Sequence, residues 1–173
     1  MATTVTDTSP EREAMVERHL KRRGITEQEI VDAFLAVPRE AFVSPEYADL
    51  AYGDHPLPIE AGQTISQPYI VALMIQAAGI GQDDKVLEVG AGSGYAATVI
   101  SRVAGQVIAI ERQHDLVELA RRRSRLGAGA DQGHQGAERQ ADPGKSWRRA
   151  FRPVDRRGGM ERCLRRICKS CRG

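Results

Sequence analysis

Apolar positions along this chain recur at helical spacing in several stretches and run continuously in two others. Ile30, Ala33, Phe34 and Val37 fall on one face of a helix, and Ile70, Leu73, Met74 and Ala77 do the same farther on. Both spacings suit a helix that buries a single stripe. Leu116, Leu119 and Ala120 mark the inward side of a helix over 114–123, and apolar residues at helical spacing mark another over 96–103. Lys85 to Val89 and Gln106 to Ile110 are apolar, β-branched runs, the pattern of strands buried in a parallel sheet.

The boundaries of these elements are written in capping and breaking residues. Ser9-Pro10 predicts a helix start with Ser9 as N-cap, Pro10 in the first turn, and Glu11 and Glu13 at the positive end of the dipole. That helix is expected to reach about Arg23, where Gly24 stops it. Thr26 to Glu29 reads as a capping box for the helix that carries Ile30 to Val37. Pro38 to Asp54 mixes prolines, charges and aromatics and predicts only a short helix or turn. Asp54 to Pro68 is a loop punctuated by Pro and Gly that ends in Ser66, the expected N-cap of a helix over 67–78.

From Lys85 the order is strand, helix, strand, helix. This alternation implies a parallel sheet with right-handed crossovers, hence a doubly wound α/β domain with an N-terminal helical subdomain. Two strands do not complete such a sheet, and further strands are expected. None is visible after Leu126, where the sequence turns to Gly-Ala-Gly-Ala and then to arginine-rich segments. The C-terminal half of the sheet is missing by this reading.

Chemistry concentrates where the first strand ends. Val86-Leu87-Glu88-Val89 runs into Gly90-Ala91-Gly92-Ser93-Gly94-Tyr95, three glycines at two-residue spacing between a strand and a helix. A turn without side chains lets a ligand approach the backbone, and open N–H groups with the following helix dipole attract an anionic or polar group. The second strand ends in Glu111, about 20 residues beyond the glycines, where an acidic side chain is placed to accept ribose hydroxyls. The Gly-x-Gly-x-Gly spacing disfavours a nicotinamide dinucleotide, which calls for G-x-G-x-x-G.

Composition narrows the setting. The 173 residues suffice for one domain with a real core. No run of 18 apolar residues is present and the first residues lack the pattern of a signal peptide, so the expectation is a cytoplasmic protein away from membranes. The net charge of +2 hides two unlike parts: residues 1–125 carry 13 Lys and Arg against 18 Asp and Glu, and residues 126–173 carry 12 against 5.

Pro56-Leu57-Pro58-Ile59 with Gly62-Gln63-Thr64-Ile65-Ser66-Gln67-Pro68, followed by Val86 to Glu111, resembles the protein-L-isoaspartate O-methyltransferase family over about residues 11–125. The resemblance implies a Rossmann-like methyltransferase fold with S-adenosyl-L-methionine as cofactor. It implies an enzyme that repairs proteins by methylating the free carboxylate of L-isoaspartyl, and by extension D-aspartyl, residues. In that scheme Gly90, Ala91, Gly92, Ser93 and Gly94 form the cofactor turn, Glu88 is the acidic strand residue before it, and Glu111 is the ribose ligand. Thr64 and Ile65 lie over the cofactor, and Ser66 stands at the catalytic position. The substrate would be proteins and peptides containing isoaspartate, and the enzyme a monomer without metal or specific nucleic-acid partner. The alternative reading of Ser66 is a plain helix cap, worth about 1 kcal/mol.

Three parts follow: a helical subdomain over 1–53, a substrate and cofactor part over 54–125, and an atypical basic tail over 126–173. The tail's Arg, Gly, Ala, Gln and late Cys are what a GC-rich coding region yields when read out of frame, and by composition it is poorly ordered. Cys163, Cys168 and Cys171 could supply three zinc ligands but lack a paired second knuckle. Any segment of +7 could bind nucleic acid non-specifically. A catalytically inactive fragment, or a basic-tailed binding protein, is therefore the alternative to an active methyltransferase.

Overall fold

The structure, a computed structural model, describes residues 7–129 and 151–153. Helix α1, Ser9–Met15, continues through a π-helical stretch, Val16–Leu20, and a 3₁₀ turn, Lys21–Arg23. Gly24 ends it at φ +91°, the left-handed conformation that stops helices most cheaply in glycine. The start differs from expectation by one residue: Ser9 is already helical, and its N–H donates to Asp7 Oδ1 at 3.0 Å. Thr8 occupies the cap position, and its hydroxyl donates to Glu40 instead.

Helix α2, Gln28–Ala36, buries Ile30, Val31, Ala33 and Phe34. The capping box over Thr26 to Glu29 does not form, because Glu27 takes the cap position and makes no side-chain cap bond. Thr26 therefore stands one residue outside. Two 3₁₀ turns follow, Arg39–Phe42 and Pro45–Leu50, which give the Pro38 to Asp54 stretch its short helical form.

The loop expected over Asp54 to Pro68 is a small antiparallel hairpin. Its strands are β1, Leu57–Ile59, and β2, Gln63–Ile65, with Leu57 opposite Ile65 and Ile59 opposite Gln63. Helix α3, Pro68–Ala77, comes next, and here the predicted stripe is wrong by one residue. Its buried residues are Pro68, Val71, Ala72 and Ile75, whereas Ile70, Leu73 and Met74 are 38%, 37% and 66% exposed. Ile70 to Ile75 is apolar without interruption, so no polar face fixes the rotation of this helix and several stripes fit the sequence equally.

Strand β3, Lys85–Val89, pairs in parallel with β4, Gln106–Glu111, through the crossover helix α4, Tyr95–Val103. Helix α5, His114–Gly129, runs six residues beyond its expected end at Arg123. It also passes the boundary placed after residue 125. A third strand, β5, Phe151–Pro153, pairs in parallel with Ala109 to Glu111. No strand was expected after Leu126. Three residues need only backbone partners in register, so they leave no side-chain alternation to read.

The sheet order is β3-β4-β5, with β3 at an edge among the described residues. Strand β4 has the burial expected of it, with Val107, Ala109 and Ile110 at 3% exposure or less. Strand β3 does not, since Leu87 is 37% and Val89 71% exposed. The core joins the N-terminal helices to the α/β part through α2, α4, β4 and α5. The other expectations for the tail, including reading frame and zinc ligands, lie outside the described residues. No helix among the described residues is long and apolar enough to cross a membrane.

Candidate cofactor and substrate cleft

The glycine turn is held by the strand next to it. Gly90 and Ala91 N–H both donate to Ile110 O, at 2.8 and 3.2 Å, and Gly94 N–H donates to Ala91 O at 2.8 Å. Gly92 N–H donates to Glu111 Oε2 at 2.9 Å, while Glu111 Oε1 accepts from Arg112 and Gln113 N–H at 2.7 and 2.8 Å. Glu111 is thus a staple between the end of β4 and the turn, 8% exposed. The open N–H groups expected of the turn are spent on the fold. Four of its five amides already have acceptors.

All three glycines sit at positive φ, where a side chain would strain the backbone. Gly94 has a second constraint, because a Cβ there would lie 3.0 Å from the Cβ of Ala120. Gly90 is different. Nothing lies within 4 Å of its missing Cβ, so the turn is open on that side.

The hairpin closes over this turn. Thr64, Ile65 and Ser66 line one wall of a cleft, and Gly90 to Ser93 line the other. Glu88, Val71, Tyr95 and Ala96 complete it. The structure therefore brings together around one cleft eight of the ten residues singled out from the sequence. Gly94 and Glu111 stand beside the lining: Gly94 packs on α5, and Glu111 bonds the turn. Of the ten, only Glu111 and Gly94 fall outside the lining, so eight line the cleft directly.

Glu88 is the one charged residue of the lining. Its Oε2 is sealed from solvent and has no hydrogen-bond partner. Burial pushes its carboxyl up to about 8, and the neighbouring Glu111 carboxylate adds to the rise. Among the described residues the lining therefore holds one acidic group and no cation, an arrangement suited to a cationic group. It is poorly suited to the anion that a glycine turn alone would suggest. Among the described residues no group of three His, Cys, Asp or Glu forms a metal-binding cluster.

Ser66 is exposed in the cleft and does not cap α3, whose cap position is Gln67. The carboxylate that serves this helix comes from Asp54: its Oδ1 accepts from Tyr69 N–H at 3.2 Å, and its Oδ2 pairs with Arg23. Arg23 also lies over the Tyr69 ring, 3.4 Å from its centroid. This frees the Ser66 hydroxyl from the structural role considered for it. Asp54 escaped sequence reasoning because it stands fourteen residues before the helix it serves.

Tyr95 ties the cleft to the N-terminal helices. Its ring meets Phe34 and Phe42 edge-on, at 6.2 and 5.5 Å between centroids, and the buried Arg39 guanidinium lies 4.7 Å from its centroid. Burial pushes the Tyr95 phenol up to about 12, against the opposing pull of Arg39. Arg39 Nε donates to Ala51 O at 2.8 Å. Arg123 also escaped notice, although a signal existed: it continues the stripe of Leu116, Leu119 and Ala120, and a cation on an inward stripe implies a buried acceptor.

Known proteins match this arrangement. The family profile for protein-L-isoaspartate(D-aspartate) O-methyltransferase matches residues 10–142, running past the expected limit near residue 125. A protein-L-isoaspartate O-methyltransferase of Methylorubrum extorquens (strain PA1) is 58% identical over 119 residues, covering 69% of this chain and 52% of that protein. One from Koribacter versatilis (strain Ellin345) is 51% identical over 111 residues, covering 64% and 50%. The chain spans about half the length of these curated relatives. A solved protein-L-isoaspartate O-methyltransferase superposes with a TM-score of 0.60 at 36% identity, covering 67% of this chain and 39% of that one. A second, from Plasmodium falciparum and described as a protein-L-isoaspartate O-methyltransferase in complex with S-adenosyl-L-homocysteine, gives 0.58 at 26% identity, covering 69% and 57%. These neighbours share the Rossmann-like methyltransferase fold, and the chain belongs to the protein-L-isoaspartate(D-aspartate) O-methyltransferase family.

Proposed function

We propose that this chain binds S-adenosyl-L-methionine between the glycine turn and the β1–β2 hairpin, and that the cleft serves methyl transfer to the free carboxylate of L-isoaspartyl and D-aspartyl residues in damaged proteins. The observation that carries the reading is the sealed oxygen of Glu88, unpartnered among the described residues, in a cleft where none of them lines the wall with a cation. A ligand bearing ammonium and sulfonium charges complements that wall. The open side of Gly90 leaves room for it against the backbone.

When bound, the cofactor supplies a methyl group on an electrophilic sulfonium. Glu88 would accept from its ammonium group, and the lone pairs of Glu111 not taken by backbone N–H groups would accept from its ribose hydroxyls. Gly90 to Gly94 shape the floor, and Thr64 and Ile65 cover it. Ser66 donates its hydroxyl to the substrate carboxylate and aligns it. That carboxylate is ionised at neutral pH, so no residue need take a proton from it. The residues contribute alignment and exclusion of water.

In this reading residues 1–53 form the helical cover, residues 54–125 the cofactor and substrate part, and the protein acts as a cytoplasmic monomer on other proteins. The bare edge and face of β3 support the view that the described sheet is part of a larger one. That same bareness favours a second reading, a chain that holds cofactor without turning over.

Calorimetry with S-adenosyl-L-methionine and a methyl-transfer assay on an isoaspartyl peptide separate the two. Binding with transfer that Ser66→Ala abolishes is the expected result. Binding without transfer selects the second reading, and absence of binding sinks both.

A further inference from the structure

One guanidinium joins three parts of the molecule behind the cleft. Arg123, on α5 and 8% exposed, donates from Nη1 to Phe42 O at 3.1 Å and from Nη2 to Val43 O at 3.0 Å. The same two nitrogens meet Glu60 as a fork, Nη1 to Oε2 at 3.2 Å and Nη2 to Oε1 at 3.0 Å. Glu60 begins the turn between β1 and β2, Glu60–Gly62, in which Ala61 is held at φ +57°. The strand leaving that turn carries Thr64 and Ile65 into the cleft wall, followed at once by Ser66.

Leu57, Ile59 and Ile65 pack the hairpin into the core, and the Arg123–Glu60 fork ties its turn to α5. Each strand is three residues long and, among the described residues, pairs only with the other, a unit of marginal stability by itself. It meets the glycine turn through Ile59, whose Cδ1 lies 3.4 Å from where a Gly92 Cβ would stand. A two-pronged, charge-assisted pair is stronger and more directional than a single hydrogen bond. Arg123 is also fixed by two buried carbonyls, so it presents a rigid anchor rather than a loose surface cation.

We propose that Arg123 is a positioning residue for the cleft, acting through Glu60 to hold the β1–β2 hairpin against the glycine turn. For the ligand it positions, the proposal rests on the cofactor reading above; for the hairpin itself it stands on the four hydrogen bonds. Arg123 does not line the cleft. Its effect passes through Glu60 and strand β2 to Thr64, Ile65 and Ser66.

The test uses the full chain in two variants. Arg123→Lys keeps the charge but loses the fork, and Glu60→Gln breaks the pair from the half-exposed side, leaving the carbonyl contacts of Arg123 intact. Hydrogen exchange is followed without cofactor, and affinity for S-adenosyl-L-methionine is measured alongside. Both variants are expected to raise amide exchange over residues 57–65 by about tenfold while β4 and α4 keep their protection. Cofactor affinity should fall by about tenfold in each, and the double variant should lose no more than the worse single one. Unchanged exchange in the hairpin overturns the proposal. So does a uniform rise along the chain, which would make Arg123 a general stabiliser. Failure of the unaltered protein to bind cofactor would remove the functional reading and leave the exchange result to decide the clamp.

Discussion

Strands β3 and β4 lie side by side in one sheet, are similarly apolar, and have opposite fates. Leu87 pairs with Ile108 and Val89 with Ile110. Ile110 is 3% exposed and Val89 71%. Strand β4 lies between two strands and carries Glu111, which locks the glycine turn; among the described residues β3 is at the edge and carries Glu88, whose sealed oxygen has no partner there. The bonded acidic group of the site thus hangs from β4, and the unbonded one from β3. A hydrophobic run states what a strand can bury, and its neighbours decide what is buried.

The largest effect should come from emptying the covered strand. Ile110→Ala removes side-chain volume from a position at 3% exposure and is expected to cost about 2–5 kcal/mol, read from urea unfolding. A loss under about 1 kcal/mol would mean that β4 is no better packed than β3, and the contrast would go.

Next comes the buried carboxyl of β3. An unfolded Glu88 loses its proton near 4.5, and the folded one holds it to about 8. Below the first value both states are protonated and folding bears no penalty. Between the two the folded state binds the extra proton, so stability falls as pH rises, and above about 8 the loss is complete. The cost is on the order of 1–3 kcal/mol, given that part of the residue remains exposed. Thermal midpoints measured from pH 5 to pH 9 should therefore drop more steeply for the unaltered protein than for Glu88→Gln. Parallel curves would show that the cleft hydrates this carboxylate freely. A bound cation should flatten the slope, since it stabilises the charged form.

Helix α3 shows where local reading stops. Its existence and length were legible in Pro68 and the apolar run, as were α2, strands β3 and β4, Gly24 and the glycine turn. Its rotation was not legible, because six apolar residues in succession contain no polar marker. Its cap was not legible either, because Asp54 reaches it through the fold. Most cleft residues could be read from sequence because turn chemistry is local, whereas the clamp of Arg123 joins residues 42, 43, 60 and 123. Asp54→Ala should remove the cap and the Arg23 pair and cost about 1–2 kcal/mol, whereas Ser66→Ala should leave stability unchanged within about 0.5 kcal/mol. The reverse order in a thermal-shift comparison would restore Ser66 as the cap and weaken its claim to the substrate.

The smallest change in stability should come from the uncovered strand, and it probes the contrast most directly. Val89 makes an apolar surface on the outer side of β3, and Ile70, Leu73 and Met74 of α3 are likewise left exposed. Val89→Thr keeps the branched shape that suits a strand while replacing a methyl by a hydroxyl. At a buried site such a hydroxyl would need a partner and would cost about 1–3 kcal/mol. At 71% exposure water supplies the partner, so the expected change lies within about 0.5 kcal/mol. The variant should also lower light scattering at high protein concentration, because an apolar edge strand is a template for association. A destabilisation above 1 kcal/mol would mean that Val89 is covered in solution. The face of β3 would then be an occupied interface, and its difference from β4 would be one of partner rather than of burial.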